Sequence, residues 1–233
     1  MRRSHSSNQK INYSIVKREI ITTSDGSSSL FVQEMGETFH SRHGAVQESV
    51  HVYIKNGLQR MEKKEISVLE FGFGTGLNAL LTLDYAIHNN LKIYYETIEA
   101  YPLQPAEYEL LNYNDFVQTN FSLTKLHQAE WDKIIAIDPL FTILKHRKKI
   151  ETFCNEKVFD LVYFDVFGYD YQPELWRKEI LEKAYKALAK NGIFVTYACK
   201  GIVNRTLKEI GFEVHKTLGP PGKREMVVAV KKN

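Results

Sequence analysis

An α/β fold built on a parallel sheet is predicted by three features of this sequence. From residue 66 onward, short runs rich in β-branched and aromatic residues alternate with amphipathic helical stretches. The first run, Ile66–Phe71, leads straight into the glycine-rich turn Gly72-Phe73-Gly74-Thr75-Gly76. The last two runs have only a Gly/Pro loop between them, too short for a parallel crossover, so they must pair antiparallel.

The elements follow in order. Residues 1–13 are polar and read as a disordered tail. Ile15–Ile21 and Leu30–Val32 flank Thr22–Ser29, a run of turn residues, and read as a hairpin. Val46, Val50 and Ile54 recur at four-residue spacing, which predicts a helix. Ile66–Phe71, Ile93–Glu99, Leu140–Leu144, Phe159–Phe167 and Ile193–Cys199 are five strands of the main sheet. Helices are expected over Asn78–Ile87, from Pro105 toward Asn112, over Pro173–Ala189, and over Ile202–Ile210, where Gly211 stops the last one. Residues 113–140 are mixed, with short helices. Phe212–Thr217 and Met226–Val230 form the final hairpin. The chain divides into the tail, an N-terminal β/α extension at 14–65 packed on the core, and one domain at 66–233. Five crossover strands followed by an antiparallel hairpin is the arrangement of Rossmann-like methyltransferases.

Composition bounds the function. With 233 residues, and about 100–200 per domain, a single main domain is expected. Apolar residues at 43% and charged residues at 25% exclude a disordered, collagenous or low-complexity chain. The net charge of +3 is too small to imply polyanion binding by itself, so the placement of basic residues matters more than their sum. Two cysteines, Cys154 and Cys199, exclude a disulfide framework and a four-cysteine zinc site. The polar N-terminus has no signal-peptide core, and no apolar stretch approaches the length of a membrane span. A soluble, cytoplasmic protein is expected.

The turn after Ile66–Phe71 carries the chemistry. Glycines there let backbone approach a ligand, and the following helix offers unpaired N–H groups. A dinucleotide fingerprint reads G-x-G-x-x-G. Here the third glycine comes one residue early, and Glu70 stands two before the first, a variant that resembles the loop of S-adenosylmethionine-binding methyltransferases. The competing reading is a tight turn without ligand. Glu99 ends the second strand, where a carboxylate can accept both ribose hydroxyl protons, or simply sit in solvent. Asp165 follows apolar Leu161–Phe164 and should emerge beside the glycine loop, facing methyl donor and nucleophile; a buried helix cap is the alternative. Asp170 reads as a loop residue. Lys145–Lys149 and Lys223-Arg224 are basic clusters assigned to loops, either solvated or in contact with a phosphate backbone. His40, His43 and His51 lack a carboxylate framework, so no metal is expected.

The combination is specific. Gly44–Ser49 leading into His51-Val52-Tyr53, the Leu69–Asn78 loop, Gln172-Pro173-Glu174-Leu175-Trp176, and Gly222-Lys223-Arg224-Glu225-Met226 together resemble the methyltransferase-domain family of the bifunctional tRNA wobble-uridine enzyme MnmC. The form resembled is a stand-alone one, without the FAD-dependent oxidoreductase half. The similarity runs from about Thr22 to Val230. Two departures stand out. The family usually continues after the strand-four aspartate as small-Phe-Ala-Pro, where this chain has Val166-Phe167-Gly168-Tyr169. After strand three it tends to carry an acid that reaches the adenine, where this chain has Lys145–Lys149 and then Glu151.

The resemblance implies methyl transfer from S-adenosylmethionine to the primary amine of 5-aminomethyl-(2-thio)uridine at the tRNA wobble position, with tRNA as partner. It carries cofactor binding onto Glu70, Gly72, Gly74, Gly76, Asn78, Glu99 and Asp165, and catalysis onto Asp165. Phe167 and Tyr169, with Tyr171, are then expected to stack the splayed base, and Lys223 and Arg224 to meet tRNA. Rival readings are a small-molecule N- or O-methyltransferase, an aminopropyltransferase of the same fold, and an inactive RNA-binding protein.

Overall fold

The computed structural model describes residues 16–154 and 157–232; the tail expected over 1–13 lies outside the described residues. A small antiparallel sheet comes first, from β1 (Arg18–Thr22), β2 (Ser28–Val32) and β3 (Glu37–Thr38). Helix α1 (Ala45–Ser49) then runs on as π-helix through Val50–Lys55, so the expected helix here is continuous but wider in its second half.

The main domain follows as β4 (Glu65–Phe71), α2 (Leu77–Asn89), β5 (Lys92–Ile98), α3 (Pro105–Tyr108), α4 (Leu123–Gln128), β6 (Ile134–Asp138), β7 (Phe141–His146), β8 (Phe159–Phe164), α5 (Lys178–Ala187), β9 (Leu188–Thr196), α6 (Gly201–Ile210), β10 (Phe212–Leu218) and β11 (Glu225–Lys231). The sheet order is β10-β11-β9-β8-β4-β5-β7-β6. β4, β5, β7, β8 and β9 are parallel, and β6, β10 and β11 run antiparallel to their neighbours. The chain leaves β4 toward β5 and β7, then returns to β8 on the other side of β4. That reversal makes the β4/β8 edge a topological switch point, where open α/β sheets bind ligands.

Strand alternation sorts side chains onto two faces. Val68, Leu161 and Tyr163 pack with α2 and with Tyr53 and Leu30 of the N-terminal extension. Leu69, Phe71, Val162 and Phe164 pack with Trp176, Leu181 and Val203 on the opposite face. The same parity puts Glu70 and Asp165 on the α2 face, at the ends of adjacent strands.

Four expectations need correction. The helix expected over Pro173–Ala189 is broken: Pro173–Trp176 is a 3-10 turn, Arg177 is extended, and α5 starts at Lys178. Trp176 is buried and its indole N–H donates to the Phe167 carbonyl at 2.9 Å, which ties the turn to the loop after β8 and breaks the helix axis. β6 occupies part of the stretch read as short helices, as the outer strand of a hairpin with β7. The helix starting at Pro105 lasts one turn, closed by a capping box between Gln104 and Glu107. Lys145 lies within β7 and is fully buried, so it is not part of a solvated loop.

Candidate active site

The glycine turn is shaped by backbone that only glycine adopts easily. Gly72, Gly74 and Gly76 have φ of 95°, 50° and 75°. A Cβ on Gly72 would lie 2.4 Å from the Asp165 carbonyl oxygen, so the loop after β4 and the segment after β8 touch without side chains between them. Further bonds fix the edge: Gly72 N–H to the Ile98 carbonyl at 3.0 Å and Asp165 N–H to the Phe71 carbonyl at 2.9 Å.

Glu99 follows β5. Its carboxylate accepts the Gly74 N–H at 3.0 Å and the Tyr101 N–H at 2.8 Å. This fixes a carboxylate against the turn while leaving lone pairs for hydroxyl donors. Glu70 has no exposed surface; it accepts from Thr97 at 2.8 Å and from Asn78 at 3.1 Å. Burial raises its pKa well above the ordinary range, with the Thr97 hydrogen bond working against that. Glu70 is therefore placed behind the turn rather than in its mouth.

The Asn78 amide nitrogen also donates to Asp165 Oδ2 at 2.7 Å, and its own Oδ1 is a buried acceptor without a partner. Asp165 is half-buried. Its pKa is raised, chiefly by burial, while His40, Tyr53 and Asn78 pull it down. The Tyr53 hydroxyl faces this carboxylate but makes no hydrogen bond of ordinary geometry. His40 is buried, pairs its Nε2 with the Thr75 hydroxyl at 2.7 Å, and is kept neutral by burial.

The aromatic candidates divide, Phe167 meeting the N-terminal extension and Tyr169 packing against the cluster of Trp176 and Leu181 on the opposite face. Phe167 meets Phe39 edge-on at 5.0 Å, and the Tyr197 hydroxyl donates to the Val166 carbonyl at 2.8 Å. Tyr169 lies beneath the Lys200 ammonium, which also pairs with Asp170.

The basic clusters divide. Lys145 donates to the carbonyls of Leu126 and His127 at 2.8 and 2.7 Å and sits over the Trp131 and Phe73 rings, with burial bringing its pKa to about 8. Arg147, Lys148 and Lys149 are exposed. Lys223 pairs with buried Glu48 and lies 3.8 Å from the centre of the Tyr197 ring, whereas Arg224 is exposed. Tyr53, Glu48, His40 and Tyr197 were not singled out as site residues by sequence. Glu48 and Tyr53 do lie inside the stretches that carry the family resemblance, and that was the available signal.

A glycine turn at a switch point, a carboxylate at the next strand end, and a second carboxylate across the edge define a nucleoside-cofactor transferase of the Rossmann-like class. The chain belongs to a family of S-adenosyl-L-methionine-dependent methyltransferases, whose model matches residues 113–232. It is 25% identical over 219 residues to the tRNA 5-methylaminomethyl-2-thiouridine biosynthesis bifunctional protein MnmC of Methylobacillus flagellatus, across 82% of this chain and 32% of that protein. The protein of the same name from Pseudoalteromonas atlantica is 30% identical over 217 residues, across 82% of this chain and 30% of its own length. This chain thus spans about a third of these relatives. The crystal structure of MNMC2 from Aquifex aeolicus has the same fold, with TM-score 0.72, 24% identity, and coverage of 91% of this chain and 70% of that one.

The residues fit the family's cofactor. The turn is a cradle that a Cβ would fill at Gly72, and Glu99 supplies a fixed acceptor at its rim. Among the described residues no helix is long and apolar enough to cross a membrane, and no group of three or more His, Cys, Asp or Glu is arranged to hold a metal.

Proposed function

We propose that this chain is an N-methyltransferase acting on the aminomethyl group of 5-aminomethyl-(2-thio)uridine at the tRNA wobble position. The observation that carries the reading is Asp165, held by Asn78 at the edge shared with the glycine turn. S-adenosylmethionine supplies the methyl group on its sulfonium. Gly72, Gly74 and Gly76 are proposed to let backbone close on that cofactor, and Glu99 to accept its ribose hydroxyls.

An alkylammonium has no lone pair, so the amine must give up a proton before displacement. Burial raises the Asp165 pKa, but a carboxyl stays a weak base toward an amine whose pKa is near 10. Asp165 therefore serves as the acceptor that orients the N–H groups, with Oδ2 engaged by Asn78, while the amine reacts from its small neutral fraction, its proton having passed to solvent buffer with the help of water before displacement. Phe167 and Tyr169 would stack the base. The cytoplasm is the compartment this reading implies.

A second reading, a small-molecule N-methyltransferase, is favoured by one observation. Lys145 is buried and Lys223 is paired with Glu48, so neither is presented to a phosphate backbone. Mass spectrometry of wobble nucleosides in tRNA from cells lacking the protein separates the two. Accumulation of 5-aminomethyl-2-thiouridine supports the tRNA reading, and an unchanged profile contradicts it.

A further inference from the structure

The tip of the last hairpin is exposed at Leu218, Pro221, Gly222 and Arg224, but its inner side docks on the N-terminal extension by three contacts. His51 Nε2 donates to the Leu218 carbonyl at 2.8 Å. A Cβ on Gly222, whose φ is +84°, would lie 2.0 Å from the His43 ring, so the backbone there is pressed against that side chain. Lys223 pairs with Glu48, which is only 5% exposed, and covers the face of Tyr197.

The segment so held, Thr38–Glu48, lies over the glycine turn. The Phe39 ring would be 3.3 Å from a Cβ on Gly74, and it also meets Phe167. His40 pairs with Thr75 inside the turn. The second Glu48 oxygen accepts the Ser41 N–H at 2.8 Å, so the carboxylate that binds Lys223 also holds the segment's backbone.

We propose that the hairpin tip is a clamp, locked by Lys223 and Glu48, that holds residues 38–48 over the glycine turn, making both positioning residues for cofactor binding rather than phosphate contacts. The proposal rests on the cofactor reading of the turn. Glu48 is the buried partner, its side chain 7% exposed against 32% for Lys223, so removing Lys223 strands a buried carboxylate, whereas removing both leaves no charge to solvate. Lys223→Met should expel Glu48 toward water and pull Ser41, His40 and Phe39 off the turn.

The test is calorimetric titration with S-adenosylhomocysteine. The unaltered protein must bind; if it does not, the cofactor reading itself fails. If it binds, Lys223→Met should weaken binding about tenfold, an ordinary coupling between separate sites, with stoichiometry held near one. General destabilisation would instead lower the stoichiometry at unchanged affinity. Adding Glu48→Gln to Lys223→Met should recover most of the loss. Should Lys223→Met not fold, Lys223→Ala takes its place in both comparisons, since it strands the same Glu48 carboxylate with less bulk over Tyr197. The clamp is overturned if the single variant binds as the unaltered protein does, or if the double variant is no better than the single one. It is also overturned if Lys223→Met instead flattens the salt dependence of tRNA binding by about 0.7–0.9 log units, the signature of one lost phosphate contact.

Discussion

Asn78 stands 2.7 Å from Asp165 and spends its other amide hydrogen on Glu70 at 3.1 Å, so one side chain on the first turn of α2 ties together the ends of β4 and β8. Glu70 fixes Asn78 from behind, and Asn78 fixes the carboxylate proposed to face the amine. Glu70 has no exposed surface, and its link to the edge runs through Asn78.

Glu99→Ala removes an acceptor that already holds the Gly74 and Tyr101 N–H groups. Cofactor affinity should fall by about 1–3 kcal/mol, the scale of an unpaired buried partner. Calorimetry with S-adenosylhomocysteine reads this directly. Unchanged affinity would make Glu99 a brace for the loop and no more.

Gly72→Ala places a Cβ 2.4 Å from the Asp165 carbonyl at a φ of +95°. Neither backbone can yield without moving β4 or β8. The expected result is a loss of about 1–3 kcal/mol of stability in urea unfolding, together with weakened cofactor binding. Full stability would mean that the turn is looser than its hydrogen bonds imply.

His127 gives a pH test. Its ring is stacked on Tyr108 at 4.4 Å, its Nε2–H donates to the Thr75 carbonyl at 3.0 Å, and burial holds its pKa down to about 4. The unfolded chain takes up a proton near pH 6.5 that the folded one refuses until about pH 4. Its contribution to stability is therefore complete above pH 6.5 and is lost as pH falls through that window, by about 3 kcal/mol in all. His127→Gln keeps a donor without the titration. Urea unfolding at pH 7 and pH 4.5 should show the unaltered protein losing more stability than the variant; equal losses would mean His127 is protonated in place.

Much of this fold was legible because strands betray themselves by apolar runs and the glycine turn by spacing. The Leu161–Phe164 run placed Asp165 at the sheet edge, and parity then puts it with Glu70. What was not legible depends on tertiary contact. Lys145 opens a run of basic residues that looks solvated, and only the carbonyls of Leu126 and His127, folded back from α4, make its burial tolerable. β6 was hidden because an edge strand need not alternate strongly, although Asp138-Pro139 between two apolar runs was a usable turn signal. The break at Arg177 needed the Trp176–Phe167 bond, which joins residues that periodicity treats as independent. In sequence, Lys223 reads as a solvated residue or a phosphate contact because its partner, Glu48, is 175 residues away.

The central claim is that Asp165 orients an amine for methylation. It is tested most directly by single-turnover transfer of a labelled methyl group from saturating S-adenosylmethionine to tRNA bearing 5-aminomethyluridine at the wobble position. The unaltered protein should place the label on the aminomethyl nitrogen, and Asp165→Asn should slow transfer by about 10²–10⁴ while cofactor affinity holds. Cofactor binding without transfer to this tRNA, or an Asn variant within a few-fold of the unaltered protein, would contradict it.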